Sequence, residues 1–449
     1  MPFSRRKFLH LTARTTSALA LAPLFNIHVK GQESSSRWRT GNEVIDQARE
    51  TALNLLKPTQ AQIDHAWELH HHSLVLDSYG FAPRAAIDGA KFQAAVDAGA
   101  SPAELVDLRE EMSMTRSATD AAEGKEFLEA FRAAGVTCIF QNAGEEGNDP
   151  LRLLKRLARF TLKTDLMKPG VTKAANADDV ANTQKAGGIC LLFTTNGVPL
   201  RGDWESTRDE LRLVRIFQQL GVRMMHVTYN RRNPLGDGAG EPGNGGLSDF
   251  GRQAVAELNR AGVIVDVAHS GWRTSLEAAK ASTKPMVASH TACAGLYQHI
   301  RSKPDDVIQA ICDTDGLVGI CCIPRFLGGK GDIVAMMDHL DHMIKKFGPT
   351  HVAIGTDVGY VSRFEKAERL KVKRRADGTS PLNAPGPSWE HLWPKDDFQT
   401  TLEAEQSLAW TNWPLFTLGL VMRGHKDADI QSALGGNMLR VLRAQAAAG

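Results

Sequence analysis

Eight short, nearly unbroken apolar runs recur along this chain, and helical patterns separate them. The runs lie at Leu74–Asp77, Val136–Gln141, Ile189–Thr194, Arg223–Thr228, Val263–Ala268, Met286–Ser289, Leu317–Ile323 and Val352–Thr356. A strand with one wet face alternates apolar and polar residues. Continuous apolar runs instead suit parallel strands covered on both faces. Between them, WESTRDELRLVRIFQQLG puts Leu211, Val214, Phe217 and Leu220 on one helical face and stops at Gly221. The segments LSDFGRQAVAELNRAG, SGWRTSLEAAKAS and DIVAMMDHLDHMIKKFG read the same way. Eight strands alternating with helices predict an α/β fold of the (β/α)8 barrel type, with an open doubly wound sheet as the alternative. No strand is followed by GxGxxG and there is no P-loop, so nucleotide-binding versions of either fold are not signalled.

In such a barrel, chemistry gathers at the C-terminal ends of the strands. The fifth and sixth runs end in histidines, His269 in VIVDVAHS and His290 in PMVASHTA, and the eighth ends in Asp357 in HVAIGTDVGY. Imidazoles and a carboxylate so placed suit a metal or proton-transfer site. The first run ends in LVLDSYGFAP and the third in ICLLFTTNG, and neither supplies a histidine or carboxylate where such a site needs one. The pattern is that of a metallohydrolase scaffold with part of its metal site.

The 449 residues suffice for one large barrel, and a net charge of +2 gives no electrostatic reason to expect a nucleic-acid partner. The six cysteines form no CxxC pair, so few or no disulfides and no zinc ribbon are expected. At the start, Ser4–His10 (SRRKFLH) resembles a twin-arginine export signal, followed by a mildly apolar stretch from Leu11 to Phe25 that is too short and polar to span a bilayer. The expectation is a leader over residues 1–31 and a single barrel over 32–449, handled by the twin-arginine export machinery. The protein would then be periplasmic, or tethered on the outer face of the cytoplasmic membrane if Pro23 blocks cleavage after Ala20–Ala22. Two insertions, 83–132 and 363–399, interrupt the alternation. The first has helical patterning. The second follows the last strand and is expected to overlie the mouth of the barrel.

Several motifs, in order, resemble the membrane dipeptidase (renal dipeptidase) family of binuclear-zinc hydrolases. They are Phe217–Arg223 followed by Val227–Asn230, Gly251–Asn259, Val265–His269, Pro285–His290 with Arg301 and Asp305–Asp306, Asp338–His342, Gly355–Asp357 and Gly435–Leu442. The match runs from about Leu74 to Leu442. It implies a metallo-dependent hydrolase barrel acting on a dipeptide or related amide. It also implies metal ligation by His269 and His290, a grip on the substrate carboxylate by Arg301, and proton transfer by Asp357. A homodimer is left open.

The resemblance fails at particular positions. Tyr79 and Phe81 fall where the family's first zinc takes a histidine and an aspartate. Thr195 falls on the bridging glutamate, and Tyr229 on a substrate-binding histidine. Neither aromatic ring ligates zinc in a neutral site, and a threonine replaces a bridging carboxylate poorly. The expected cofactor is therefore zinc as one ion or none. Asp77 and Glu145–Glu146 are the carboxylates whose positions would let them complete the site. Tyr79 and Tyr229 are expected to contact substrate. His70–His72 reads as a solvated helix end, His226 as a satisfied core residue, and His339 and His342 as structural. Two functions fit: an exported dipeptidase-like hydrolase with a degenerate metal site, or an inactive or repurposed relative that binds or matures a small carboxylate-bearing metabolite.

Overall fold

The computed structural model describes residues 38–144, 149–375, 377–383 and 393–446. Its strands are β1 (Leu76–Arg84), β2 (Cys138–Asn142), β3 (Val171–Lys173), β4 (Ile189–Thr195), β5 (Val222–His226), β6 (Ile264–Asp266), β7 (Val287–Thr291), β8 (Leu317–Ile320), β9 (Val352–Ile354) and β10 (Gly359–Val361). They form one sheet in the order β10-β1-β2-β4-β5-β6-β7-β8-β9, with β3 on β4, and every pairing is parallel. Because β10 resumes the path of β9 and pairs with β1, the sheet curls back on itself into a TIM-like α/β barrel. Each of the eight runs read from the sequence overlaps a strand, the first only at Leu76 and Asp77, because β1 runs on to Arg84. β3 and β10 are additions, three residues each.

The parallel ladder explains the continuous apolar runs. One cluster takes Leu76, Cys138, Cys190, Met224, Ile264, Val287, Leu317 and Ala353 from eight strands, and packs them against Met438, Val441 and Leu442 of the last helix. The larger cluster fills the space between the strands and the surrounding helices. All six cysteines are buried free thiols.

Closure between β9 and β1 depends on small groups and one carboxylate. Ser78 Oγ donates to Ser289 O (2.8 Å) and Ile354 O (3.0 Å). A Cβ on Gly319 or Gly355 would lie 2.0 or 1.9 Å from Ser289 O, so only glycine lets the strands approach here. Asp77 is fully buried and accepts four hydrogen bonds. They come from Tyr79 N (3.3 Å), Thr356 N (2.9 Å), Thr356 Oγ1 (2.6 Å) and Trp410 Nε1 (3.1 Å). β1 shifts register between Asp77 and Gly80 as it enters this seam.

The helices at Thr207–Gln219, Asp249–Ala261, Trp272–Ala281 and Ile333–Phe347 match the patterned segments. The first insertion forms helices Gly89–Asp97, Pro102–Thr119 and Ala121–Ala134, the second of them opened by a Ser101/Glu104 capping box. Part of the second insertion, Glu365–Leu370, is helical and docks on the first through Glu368, which accepts from Gly89 N at 2.9 Å. The histidine run ends the helix Gln60–His72, as a solvated end requires, with one correction. His71 and His72 are exposed, but His70 is buried between Thr417 Oγ1 (2.7 Å) and Ala134 O (2.9 Å). His339 (to Leu327 O, 3.0 Å) and His342 (to Asp305, 3.1 Å) serve helix packing. The residues read as an export signal, and Glu145 and Glu146, lie outside the described residues.

Candidate metal and substrate site

The ends of β5, β6 and β7 bring three imidazoles together. Ligand atoms of His226, His269 and His290 all lie within 4.8 Å of one another, and all three residues are buried. His269 Nε2 and His290 Nε2 face each other at 2.9 Å. Each ring is anchored through its other nitrogen, His269 Nδ1 to Asn230 Oδ1 (2.8 Å) and His290 Nδ1 to Ser289 Oγ (2.9 Å). That is the arrangement of metal-binding histidines, in which one ring nitrogen is fixed by a hydrogen bond and the other is left to ligate. Two imidazole nitrogens on one tetrahedral zinc stand roughly 3.3 Å apart, from Zn–N distances of about 2.0–2.1 Å. The pair therefore fits one ion with a small relaxation. Burial holds both histidines well below their ordinary pKa, and Arg301 adds to the effect, so both rings are neutral as ligation requires.

The third histidine is committed elsewhere. His226 Nδ1 donates to Thr195 O at 2.7 Å, and its Nε2 lies 2.9 Å from Asp266 Oδ2 in a fully buried pair. Burial alone would raise Asp266, but the His226 charge beside it, with hydrogen bonds from the Ser289 and Ala268 amides, keeps it below the usual carboxylate range. His226 is thus held in the core by one hydrogen bond through Nδ1 and a close charge contact with Asp266, in which Nε2 and Oδ2 make no aligned hydrogen bond. The sequence reading missed that its ring also packs edge-on against Tyr79, His269 and His290. Asp77 corrects another expectation. Its two oxygens are taken by donors at the barrel seam, and it does not join the histidines.

Aromatic rings occupy the remaining sides. Tyr79 stacks on His290 with centroids 3.8 Å apart and donates through its hydroxyl to Asn196 Oδ1 at 2.8 Å. Tyr229 stacks on His269 at 4.1 Å. Phe81 lies edge-on to Tyr79 at 6.0 Å, one step farther from the histidines. Thr195 spends its hydroxyl on Gly197 O (2.6 Å).

Arg301 and Asp357 complete the group. Arg301 is 1% exposed. Its guanidinium donates to Ala268 O and approaches His269 Nε2 at 3.2 Å, beneath the ring of Phe326. His299 and Trp393 pack over Phe326 and extend this cover, so the second insertion reaches the mouth at Trp393. Asp357 Oδ2 is 4.0 Å from His290 Nε2, on a backbone with φ of +57°, a conformation uncommon for a residue with a side chain. Burial raises its carboxyl to about 6, against the pull of Arg301 and His226. Asn196, Asn230, Ser289 and Phe326 were not singled out from the sequence, because polar and aromatic loop residues carry no positional signal of their own.

A curled parallel sheet with imidazoles at its strand ends has the build of a barrel metallohydrolase. The family model described as Membrane dipeptidase (Peptidase family M19) matches residues 64–371, and the chain belongs to that family of dipeptidase-like hydrolases. Among similar proteins, "Dipeptidase tcpJ" of Claviceps purpurea is 30% identical over 237 residues, which are 52% of this chain and 51% of that one. The match therefore spans about half the relative's length. An amidohydrolase of Pseudomonas aeruginosa has a similar fold, with a TM-score of 0.60 at 23% identity, covering 85% of this chain and 98% of that one. So does a metallo peptidase of Rhodobacter sphaeroides solved with a phosphinate mimic of the dipeptide L-Ala-D-Ala (TM-score 0.56, 15% identity, 83% and 99% covered).

Proposed function

We propose that this protein is an exported, dipeptidase-type hydrolase of a dipeptide or related amide, working with at most one metal ion held by His269 and His290. The observation that carries this reading is the Tyr79 ring stacked on His290, on the side where the resemblance would put the first zinc. An ion on the two histidines would supply Lewis-acid polarisation of the scissile carbonyl and a more acidic bound water. This chain's own residues account for the rest. Tyr79 and Tyr229 give the pocket flat aromatic walls against which a peptide plane can stack. Asp357, with its carboxyl raised to about 6, takes a proton close to neutral pH and returns it to a leaving amine. Arg301 supplies the positive charge that a substrate carboxylate seeks. Support for export is the Ser4–His10 motif.

A second reading, a non-catalytic relative that binds or matures a carboxylate-bearing metabolite, is favoured by one observation. The Arg301 guanidinium sits 3.2 Å from the very nitrogen that would ligate, and opposes a dication there. Two measurements separate the readings. Metal analysis of the purified protein after incubation with zinc should give no more than one ion per chain, lost in His290→Ala. A dipeptide panel assayed with added zinc or manganese should show turnover that disappears in the same variant. Two ions per chain would overturn the single-site reading. Full zinc loading with no turnover on any dipeptide would favour the second function.

A further inference from the structure

A separate cavity of about 460 Å³ opens at the C-terminal end of β1, walled by that strand, the helices Pro102–Thr119 and Pro150–Leu166, and the segment after β10. Its size is that of a small-molecule site. Among the described residues, five cations line it, Arg84, Arg109, Arg156, Lys163 and Arg369, against two carboxylates, Glu110 and Glu365. Both carboxylates are already engaged. Glu110 meets Arg152 (3.0 Å), Arg156 (3.5 Å) and Arg159 (3.1 Å), and Glu365 meets Arg369 (3.2 Å) and Ile87 N (3.2 Å). Among the described lining residues, cations thus outnumber carboxylates.

Lys163 is the singular member. It is 1% exposed, and among the described residues its ammonium makes no hydrogen bond or ion pair. That ammonium lies 4.0 Å over the ring of Phe127. The three acids on the helix carrying Phe127 are committed elsewhere, Glu123 to Arg116 (3.9 Å), and Glu126 (2.8 Å) and Glu129 (3.1 Å) to Arg363. Buried lysines are rarely left unpaired, because a charge taken out of water needs a partner. Phe81, Met114, Phe160 and Val361 give the same cavity apolar walls. We propose that this cavity binds a small organic carboxylate with an apolar body, and that Lys163 provides the charge that recognises it. The proposal concerns a space apart from the histidines and stands whether or not they hold a metal.

Burial lowers Lys163 to about 7, so at pH 8 it is mostly neutral, and a bound carboxylate would draw a proton onto it. Calorimetric titration of the full chain at pH 8, in two buffers of different ionisation enthalpy, tests this directly. Phenylacetate should bind with net proton uptake, and phenylacetamide should not bind. Lys163→Met should weaken phenylacetate about tenfold or more and abolish the uptake, while His290→Ala should leave both unchanged. The proposal is overturned if phenylacetate fails to bind, if the amide binds equally, or if Lys163→Met binds like the parent. Loss of binding in His290→Ala would move the ligand to the histidine pocket and overturn it too, and stronger binding of inorganic phosphate would overturn the carboxylate assignment. If Lys163→Met does not fold, proton uptake by the parent still decides.

Discussion

Replacing Asp77 with asparagine sets burial against hydrogen bonding at the barrel seam. The carboxylate accepts four donors, which favour its charged form, yet it is wholly enclosed, which favours the neutral form. Burial prevails and lifts the group from 3.8 to about 7. Between those values the folded chain holds a proton that the unfolded chain has lost. The group's contribution to stability is therefore complete below pH ~4 and declines as pH rises toward 7. A displacement of about three units corresponds to roughly 4 kcal/mol at most. The substituted amide does not titrate, so subtracting the variant's stability from the parent's cancels the other acids. Thermal or chemical unfolding followed by tryptophan fluorescence, from pH 4.5 to 8, should show the parent losing ground to Asp77→Asn by up to ~1.4 kcal/mol per pH unit. Parallel curves for the two proteins would refute the reasoning and mean that the four donors keep the carboxylate ionised throughout.

Other outcomes follow from the same geometry. Gly355→Ala would put a methyl group 1.9 Å from Ser289 O, against backbone that is held on both sides. We expect a loss of about 3 kcal/mol or failure to accumulate folded protein, read from soluble yield and unfolding midpoint. Tyr79→Phe should cost about 1–2 kcal/mol by orphaning the buried Asn196 Oδ1, while Tyr79→Ala, which also removes the stack on His290, should cost about 3–5 kcal/mol. For any dipeptide that is turned over, kcat should rise through pH ~6 as Asp357 ionises. Asp357→Asn should erase that limb and lower kcat by ~10² or more.

The fold was legible because parallel strands buried on both faces leave unbroken apolar runs, and eight of them stand out. β3 and β10 were not, since VTK and GYV bury a single residue each and owe their extended form to the neighbours they pair with. His269 and His290 announce themselves by closing strands. Asp357 does so too, at the end of the eighth run, whereas Arg301 gains meaning only from the order of the family's motifs. Asp77 shows where such reasoning fails. It closes the first apolar run and so reads as a ligand, but β1 runs on to Arg84 and the fate of Asp77 is set by donors 279 and 333 residues away in sequence, Thr356 and Trp410. His226 lies in the core as read, but nothing in its own run points to the ring of Tyr79 that packs on it.

The route by which the barrel closes bears on how it breathes. β1 and β9 are joined mostly through side chains, glycines and the short β10, whereas β2 and β4 share a ladder of five paired residues. Openings that leave most of the molecule intact should start at joints that few main-chain bonds hold, and this joint is one of them. The amides of Phe81, Thr356 and Asp357, which bond to Val358 O, Asp77 Oδ1 and Tyr79 O, sit on that joint. Hydrogen exchange at these amides should outpace exchange along β2 and β4. Each such opening would also swing Asp357 out of register with His290, so the acidic group can be withdrawn from the pocket without unfolding the barrel.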